Sequence, residues 1–397
     1  MQYKRECLSK LKTIARQFPA VVVTGARQTG KTTLLRETFK KHRYVSLDLP
    51  SAAELAEREP ERFIALNPPP LLIDEVQYAP GLFRHLKIAI DSDRHSPGAF
   101  VLTGSEKFVL MKSVADSLAG RCALLELETL SLEEIAQHNP FPSTASALVA
   151  HLYRGGFPEL WRDPSIEPSL FYRGYLSTYL ERDVRQILNV TSLRDFERFI
   201  RACASRTAQL LDKASLARDV GVSAKTINEW LSVLEASNQI QLLEPYFENL
   251  GKRIVKSPKL YFSDTGLLCY LLGLDERAIE KSPYLGAIWE TALFAQLRKR
   301  REHRSDLSTI WFYRDGQQRE VDFVIAAGNS RRLVEVKWTE NPTARDADGL
   351  EKVAEIMRAN GKAPDVSTFI ACRTPHESIV AQSTRVIDAK AMASLIQ

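Results

Sequence analysis

The sequence predicts an α/β protein built from three parts, and three patterns along the chain indicate them. Residues 18–130 alternate short apolar runs with helical stretches, as in a parallel sheet with helices on both faces. Residues 212–262 carry two short helices followed by strands, the order of a winged helix-turn-helix. Residues 320–338 form two apolar strands around a turn that contains Gly328, which predicts a β-hairpin. The chain of 397 residues is long enough for two or three such units.

The individual elements follow from apolar runs and helical periodicity. In the first part, strands are predicted at 20–24, 44–47, 71–74, 99–103 and 123–127, and helices at 31–41, 54–66, 82–91 and 109–118. A helical lid is predicted at 151–210, followed in the second part by helices at 215–220 and 224–236 and strands at 240–243 and 259–262. The third part has a predicted helix at 285–299 and strands at 320–325 and 332–338. We therefore expect domains at 1–190, 191–280 and 281–397.

Composition excludes several classes of protein. No apolar stretch approaches the ~20 residues that a membrane-spanning helix needs, and Lys10, Lys12 and Arg16 interrupt any signal-peptide core. We therefore expect a cytoplasmic protein without membrane contact. The five cysteines lack the spacing of a zinc site or a disulfide framework. The excess of 54 Lys and Arg over 49 Asp and Glu gives a net charge of +5, which alone is a weak indication of a polyanionic partner.

The most specific motif lies directly after the first predicted strand. Residues 25–32 match the phosphate-binding loop GxxxxGK[ST] and precede a predicted helix. Backbone N–H groups and the helix dipole would bind phosphates, Lys31 would reach the β and γ phosphates, and Thr32 would ligate Mg²⁺. The residues predicted to bind ATP and Mg²⁺ are Gly25, Ala26, Arg27, Gln28, Thr29, Gly30, Lys31, Thr32 and Thr33.

Two other predicted strands end in polar residues that such a loop needs. The strand at 71–74 ends in Asp74 and Glu75, and we expect Asp74 to hold Mg²⁺ while Glu75 polarises the attacking water. The strand at 99–103 is followed by Ser105, and either Ser105 or Thr103 could contact the γ phosphate or the water. The alternative for these two hydroxyls is an ordinary hydrogen-bonded turn.

Six segments resemble, in the same order, those of bacterial and archaeal AAA-type ATPases that carry a C-terminal domain of unknown function. They are residues 25–32, 71–77, 102–105, 117–121, 155–158 and 179–183. The resemblance implies an AAA-type, helicase-related α/β core rather than a small-molecule kinase, and we expect a homo-oligomer. It also makes Arg121 a candidate arginine finger, because a guanidinium from a neighbouring subunit can stabilise transition-state charge. The alternative is a surface arginine that caps a helix end.

The second part has features of a DNA-binding module. Side chains expected to face nucleic acid lie on the second helix (Lys225, Thr226, Asn228, Glu229) and on the wing (Lys252, Arg253, Lys256). The alternative is a module that only joins domains, because Glu229 and Glu235 make the helix less basic. The basic segment at 298–304 is expected either to steer a phosphate backbone or to be a solvated helix end.

The C-terminal hairpin carries a second candidate metal site. Asp322 lies on its first strand, and Glu335 and Lys337 lie two residues apart on one face of its second strand. Oxygen ligands suit Mg²⁺, so Asp322 and Glu335 would bind the ion and Lys337 would position water. With Glu290 on the preceding helix, the pattern resembles the PD-(D/E)XK nuclease superfamily, although Val321 replaces its proline. We expect the four polar side chains to converge in one open cleft.

The favoured hypothesis is an ATPase that couples its nucleotide state to action on nucleic acid, with Mg²⁺-dependent phosphodiester cleavage by the C-terminal part. The alternative is an ATP-dependent binding or regulatory switch with a catalytically inactive nuclease-like domain. A P-loop kinase is disfavoured by the Asp74-Glu75 strand end, by the segment around Arg121 and by the additional domains.

Overall fold

The computed structural model describes residues 3–104, 110, 114, 116–180, 184, 193–246, 257–304, 307–359 and 365–396. Ser105, half of the helix predicted at 109–118 and the wing residues Lys252, Arg253 and Lys256 lie outside these ranges. The described chain contains a parallel sheet, a small antiparallel sheet and a mixed sheet, in that order. An α/β fold is therefore confirmed. No helix in the described ranges is both long enough and apolar enough to cross a membrane.

Five parallel strands form the first sheet: β1 (Ala20–Thr24), β2 (Arg43–Ser46), β3 (Leu71–Asp74), β4 (Phe100–Thr103) and β5 (Cys122–Glu126). Their spatial order is β2-β3-β4-β1-β5. Every residue of β1, β3 and β4 is buried, as in strands that helices cover on both faces. Because the strands are parallel, the loops that follow β1 and β3 lie at the same edge of the sheet.

Helices cover both faces of this sheet. One face is covered by helices Leu8–Gln17 and Lys31–Thr38. The other face is covered by helices Pro50–Arg58, Pro60–Leu66 and Leu82–Ser92. The single helix predicted at 54–66 is wrong, because the chain leaves the helical conformation at Glu59. Pro60 begins the next helix, and the residue before a proline is sterically disfavoured in the helical region.

A helical segment follows the sheet, as predicted. Its helices are Leu132–Ile135, Ala145–Arg154, Pro158–Arg162, Pro168–Tyr179 and Leu193–Ala204. Gly155 ends the second of these helices with a φ of +69°. A Cβ atom at Gly155 would lie 2.3 Å from the Tyr172 hydroxyl and 2.4 Å from a carboxylate oxygen of Asp264. Only glycine therefore fits the predicted turn at this close contact.

The small antiparallel sheet has β8 (Lys259–Phe262) between β6 (Gln209–Leu210) and β7 (Ile240–Leu243). Two helices, Lys213–Val220 and Ala224–Ala236, lie between β6 and β7. Asp212 caps the first helix by accepting hydrogen bonds from two backbone N–H groups, and Ser223 caps the second. Helices Thr265–Leu271 and Glu276–Ile279 follow β8.

Six strands form the C-terminal sheet: β9 (Thr309–Arg314), β10 (Glu320–Ala327), β11 (Ser330–Val336), β12 (Asp365–Ala371), β13 (Ser378–Val380) and β14 (Thr384–Ile387). Their order is β13-β14-β12-β11-β10-β9. β12 pairs parallel with both β11 and β14, and the other neighbouring strands pair antiparallel. The associated helices are Leu285–Arg304, Ala344–Ala359 and Ala389–Ala393. The predicted hairpin is confirmed, because β10 and β11 pair antiparallel with Phe323 opposite Val334.

One apolar core joins the helical segment, the small sheet and one face of the C-terminal sheet. It contains Leu152, Tyr172, Leu231, Phe294 and Phe323, among other buried side chains. The parallel sheet has separate cores on its two faces. The elements that follow the parallel sheet therefore pack against one another through shared apolar surface.

Candidate functional site

The loop between β1 and the helix Lys31–Thr38 depends on glycine. Gly25 has a φ of +142° and Gly30 a φ of +91°, and a Cβ atom at Gly25 would lie 2.2 Å from the backbone oxygen of Leu127. The buried Lys31 ammonium donates hydrogen bonds to the carbonyl oxygens of Gly25 and Ala26, at 3.0 and 2.9 Å. These contacts hold the lysine within the predicted phosphate-binding loop.

Thr32 and Asp74 are in direct contact at the end of this loop. The Thr32 hydroxyl donates a hydrogen bond to Asp74 Oδ2 at 2.8 Å, and the Tyr44 hydroxyl donates to the same oxygen at 2.9 Å. Burial raises the pKa of Asp74, although these two hydrogen bonds act to lower it. Asp74 Oδ1 is buried and has no hydrogen-bond partner among the described residues. This set of oxygen atoms fits Mg²⁺, which prefers oxygen ligands.

Glu75 follows β3 in a left-handed backbone conformation, with a φ of +53°. The side-chain amide of Gln77 donates a hydrogen bond to Glu75 Oε2 at 2.5 Å. Glu75, Lys31 and Thr32 line a cavity of about 570 Å³, which Arg27, Gln28, Gly30 and Thr33 also line. Gln77 lies within the segment 71–77 that carries the family resemblance, but the sequence analysis assigned it no role.

A second cavity of about 530 Å³ adjoins the loop. Its lining combines apolar and polar side chains, including Tyr3, Arg5, Gln28, Leu130 and Phe171. Tyr3 and Arg5 belong to the N-terminal segment before β1, and Phe171 lies on the helix Pro168–Tyr179. The cavity is therefore built by the N-terminal segment, the loop and the helical segment together.

Arg5 connects the loop to the helical segment and was not identified from the sequence. Its guanidinium donates hydrogen bonds to the Thr29 carbonyl at 2.8 Å, the Glu128 carbonyl at 2.6 Å and Glu134 Oε1 at 3.0 Å. Arg5 is buried, and the Glu134 side chain is completely buried. No motif contains Arg5, so only the tertiary contacts reveal it.

Arg121 lies at the edge of the parallel sheet opposite to the loop. Its carbonyl accepts a hydrogen bond from the N–H of Ala20, the first residue of β1, whereas the loop follows the last residue. Its guanidinium forms a bidentate pair with Asp91, at 2.7 and 2.9 Å. Arg121 therefore does not approach the loop of its own chain.

Thr103 ends β4 and is buried, and its hydroxyl has no hydrogen-bond partner among the described residues.

The four residues predicted in the C-terminal part lie together. Glu290 and Asp322 contact the same group, because the Lys259 ammonium lies 3.2 Å from Glu290 Oε1 and 3.3 Å from Asp322 Oδ1. The N–H of Val336, next to Glu335, donates a hydrogen bond to Asp322 Oδ2 at 2.9 Å. Lys337 donates a hydrogen bond to Glu335 Oε1 at 2.8 Å.

The prediction of an open cleft is wrong, because a residue that the sequence prediction missed closes this cluster. Lys259 on β8 fills the space between Glu290 and Asp322, whose side chains are only 14% and 12% exposed. Its ammonium also lies 2.6 Å from Glu320 Oε1. Lys259 belongs to a different predicted domain, and only the packing of β8 against the C-terminal part brings it here.

Two carboxyl groups of this cluster, those of Glu290 and Glu335, have raised pKa values. Burial and the nearby charge of Asp322 raise the pKa of Glu290 to about 8 and that of Glu335 to about 7. Burial alone would lower the pKa of Lys337, but the pair with Glu335 raises it. The cluster thus favours added positive charge, and its carboxylate oxygens are ligands suited to Mg²⁺ or Mn²⁺.

The basic segment at 298–304 does not form the expected phosphate-steering surface. Arg298, Lys299 and His303 are buried. Arg298 contacts Glu128 and lies 3.4 Å from Glu126, and Lys299 donates a hydrogen bond to a backbone carbonyl at 2.7 Å. This prediction is wrong because these cations join the helix Leu285–Arg304 to the end of the parallel sheet.

Among the described residues, one further group has ligand atoms close enough for a metal ion: Glu6, Glu134 and His303, within 4.8 Å of one another. Glu134 already accepts hydrogen bonds from Arg5 and from the backbone of Glu6 and Ser131. These donors occupy the carboxylate and bring a positive charge beside it, so the group is a poor cation site.

Three family matches divide the chain. Residues 17–136 match the AAA domain, and residues 145–278 and 285–388 match two domains of unknown function, DUF8612 and DUF4143. The parallel sheet with its phosphate-binding loop is therefore an AAA-type P-loop ATPase domain. A C-terminal domain of unknown function is also present, as the resemblance implies.

Relatives place the whole chain in a family. The uncharacterized proteins Rv2008c of Mycobacterium tuberculosis and Mb2031c of Mycobacterium bovis are each 33% identical over 344 residues, covering 86% of this chain and 75% of the relative. This chain belongs to the same family as these mycobacterial proteins. The uncharacterized protein MJ1544 of Methanocaldococcus jannaschii is 24% identical over 378 residues, covering 88% of this chain and 81% of that protein.

Solved structures are more distant. The Walker-type ATPase PABY2304 of Pyrococcus abyssi is 16% identical, with a TM-score of 0.43, covering 68% of this chain and 96% of the other. The RuvB Holliday junction branch migration motor of Thermotoga maritima is 17% identical, with a TM-score of 0.32, covering 60% and 89%.

Proposed function

We propose that this protein hydrolyses ATP at the loop after β1 and couples its nucleotide state to action on nucleic acid. The contact between Thr32 and Asp74, with one Asp74 oxygen unpartnered among the described residues, carries the ATPase assignment. Loop N–H groups and Lys31 would hold the phosphates, and Thr32 and Asp74 would hold Mg²⁺. The ion would neutralise charge that develops on the transferred phosphoryl group. The nucleotide would contact the whole loop, residues 25–33.

Glu75 would orient the attacking water. Its position on the cavity wall beside Lys31 supports this role, and the hydrogen bond from Gln77 fixes one of its oxygens. A carboxylate held in this way can accept a hydrogen bond from water and align it with the γ phosphorus. Ser105 would add a contact to the γ phosphate. The second cavity, beside Arg5 and Phe171, has the mixed lining suited to adenine and ribose.

Arg121 would act across a subunit boundary in a homo-oligomer. Because Arg121 lies far from the loop of its own chain, it would reach a phosphate that is bound to a neighbouring subunit. Its present partner Asp91 is on the surface, so a nucleotide of a neighbouring subunit could compete for the guanidinium.

The second part, residues 191–280, would be a winged helix-turn-helix that contacts DNA. Two helices followed by a small antiparallel sheet support this assignment. Lys225, Asn228 and Glu229 are exposed on the second helix, as a helix that enters a groove requires. The pair between Lys225 and Glu229, at 4.0 Å, lowers the positive potential of this face.

The third part, residues 281–397, would be a nuclease-like domain that follows the ATPase part at 1–190 and the winged helix. A helix, three antiparallel strands, a second helix and a parallel strand support this assignment. Asp322 and Glu335 would hold Mg²⁺, which would activate water and stabilise charge on the phosphate. Lys337 would position the water, and Glu290 would complete the cluster.

One helix joins the two candidate sites. Near its start, Leu285–Arg304 carries Glu290 in the carboxylate cluster, and near its end Arg298 and Lys299 contact the region after β5. Arg5 links the same region to the Thr29 carbonyl of the loop. A change in the loop on ATP binding could therefore shift this helix as a rigid rod, and such a path is spatial support for coupling.

The test is a nucleic-acid degradation assay in which ATP and Mg²⁺ are varied independently. We expect Mg²⁺-dependent cleavage of DNA or RNA by the wild-type protein, lost in Lys337→Ala. Lys352→Ala, an exposed lysine on the helix Ala344–Ala359, is the matched control and should cleave normally. Equal cleavage by Lys337→Ala and the control would remove the C-terminal cluster from the reaction.

A second candidate function is an ATP-dependent regulatory switch with an inactive nuclease-like domain. The observation that favours it is the Lys259 ammonium, which already contacts oxygens of Glu290, Glu320 and Asp322 where a metal ion would bind. No cleavage in any combination of ATP and Mg²⁺, together with ATP-dependent binding of nucleic acid or a change in oligomeric state, would establish the switch.

A further inference from the structure

The position of Lys259 suggests how the carboxylate cluster is controlled. Its side chain is 2% exposed and extends from β8 into the C-terminal part. Its ammonium lies within 3.3 Å of oxygens from Glu290, Glu320 and Asp322. Three ion pairs therefore hold this ammonium in the middle of the cluster. A buried cation surrounded by oxygen atoms occupies the place that a metal ion would take.

The cluster has more carboxyl groups than ammonium groups. It contains four carboxylates, Glu290, Glu320, Asp322 and Glu335, against the two ammonium groups of Lys259 and Lys337. The guanidinium of Arg314 lies 2.9 Å from Glu320 and is a third cation beside these carboxyl groups.

Lys259 and a divalent ion cannot occupy the cluster together. A Mg²⁺ ion binds oxygen at ~2.0 to 2.1 Å, and the ammonium already contacts Glu290 Oε1 and Asp322 Oδ1. Like charges this close repel strongly in a buried site. Metal binding therefore requires that the lysine withdraw.

We propose that Lys259 is a gate that excludes divalent metal ions from the carboxylate cluster, so that the position of β8 regulates metal occupancy. The inference rests on the metal-binding role proposed above for Asp322 and Glu335. It adds that the second part of the chain, through β8, holds the third part in a closed, metal-free state.

A chain of hydrogen bonds connects β8 to the phosphate-binding loop and could open the gate. Ser263 follows β8, and its N–H donates a hydrogen bond to the Gln239 carbonyl. The Gln239 side chain donates to the Tyr175 hydroxyl at 2.9 Å, and Tyr175 lines the cavity at the phosphate-binding loop. Movement of the helix that carries Tyr175 would thus be transmitted to β8.

The first experiment measures Mn²⁺ binding by calorimetry and by the paramagnetic signal of the free ion. We expect the full-length Lys259→Gln protein to bind Mn²⁺ about ten-fold or more tightly than wild type, because one buried positive charge is removed. The Lys352→Gln protein should behave as wild type. Asp322→Asn in the Lys259→Gln background should abolish the gain, which locates the ion in the cluster. Unchanged Mn²⁺ affinity in a folded Lys259→Gln protein would overturn the proposal.

The second experiment uses the wild-type protein and does not depend on the folding of a variant. The rate at which an amine-reactive reagent acylates Lys259 is measured by mass spectrometry, with and without saturating Mn²⁺. Metal and the buried lysine exclude each other, so we expect Mn²⁺ to raise the labelling rate several-fold, with no change at the exposed Lys352. No rise in Lys259 labelling at saturating Mn²⁺ would overturn the gate.

A cleavage assay separates this inference from the proposed function. Tighter Mn²⁺ binding by Lys259→Gln without cleavage would support the gate and refute phosphodiester cleavage. Mg²⁺-dependent cleavage that is equal in wild type and Lys259→Gln would support the nuclease and refute the gate.

Discussion

Replacement of Arg5 tests whether the N-terminal segment shapes the nucleotide site. In Arg5→Met, the buried Glu134 loses its ion pair at 3.0 Å but retains hydrogen bonds from the N–H groups of Glu6 and Ser131. Removing one partner of a buried pair costs about 3 to 5 kcal/mol, and the retained bonds favour the lower end. The Thr29 and Glu128 carbonyls also lose a donor each, worth about 1 kcal/mol apiece. We expect the free energy of unfolding to fall by about 5 kcal/mol in total.

The assay combines urea denaturation with ATPase kinetics. Loss of the donor to Thr29 should loosen the loop and raise the Kd for ATP about ten-fold, which corresponds to about 1.4 kcal/mol. Arg5→Lys should be intermediate, since an ammonium cannot reproduce three divergent hydrogen bonds. Arg16→Met, an exposed arginine on the helix Leu8–Gln17, is the control. Wild-type stability and ATP affinity in Arg5→Met would refute this role.

Three other predictions follow from the described contacts. Lys31→Ala should abolish ATP turnover, whereas Glu75→Gln should bind ATP but hydrolyse it slowly; loss of ATP binding by Glu75→Gln would exclude its water-orienting role. Mixing Arg121→Ala with Lys31→Ala protein should restore part of the ATPase rate through mixed interfaces, which a fully active monomer would contradict. Burial and nearby Lys299 lower the pKa of His151 to about 3, below the unfolded value of ~6.5, so the unfolded chain binds more protons and stability is lost as the pH falls. Urea unfolding should show about 2 kcal/mol lost between pH 6.5 and 5 in wild type, and His151→Gln should lack this loss; an equal loss in both proteins would show that another group titrates.

Local patterns predicted most of the secondary structure. The bounds of β1, β3, β7, β8 and the helix Ala224–Ala236 agree with the sequence prediction, because apolar runs, caps and glycines act within a few residues. The helix at 54–66 was divided for an equally local reason, the conformational restriction before Pro60. The segment at 298–304 was misassigned because its pattern of charges does not specify what the helix packs against.

The sequence by itself determined the chemistry of the nucleotide site, because the phosphate-binding loop is contiguous and strand ends at the same edge of a parallel sheet must meet. It also identified Glu290, Asp322, Glu335 and Lys337 as candidates. Only the tertiary structure showed that Lys259 closes their cluster, since Lys259 and Asp322 are separated by 63 positions along the chain. Arg5 and Glu134 are separated by 129. Such pairs form when distant segments pack together, and no local pattern specifies that packing.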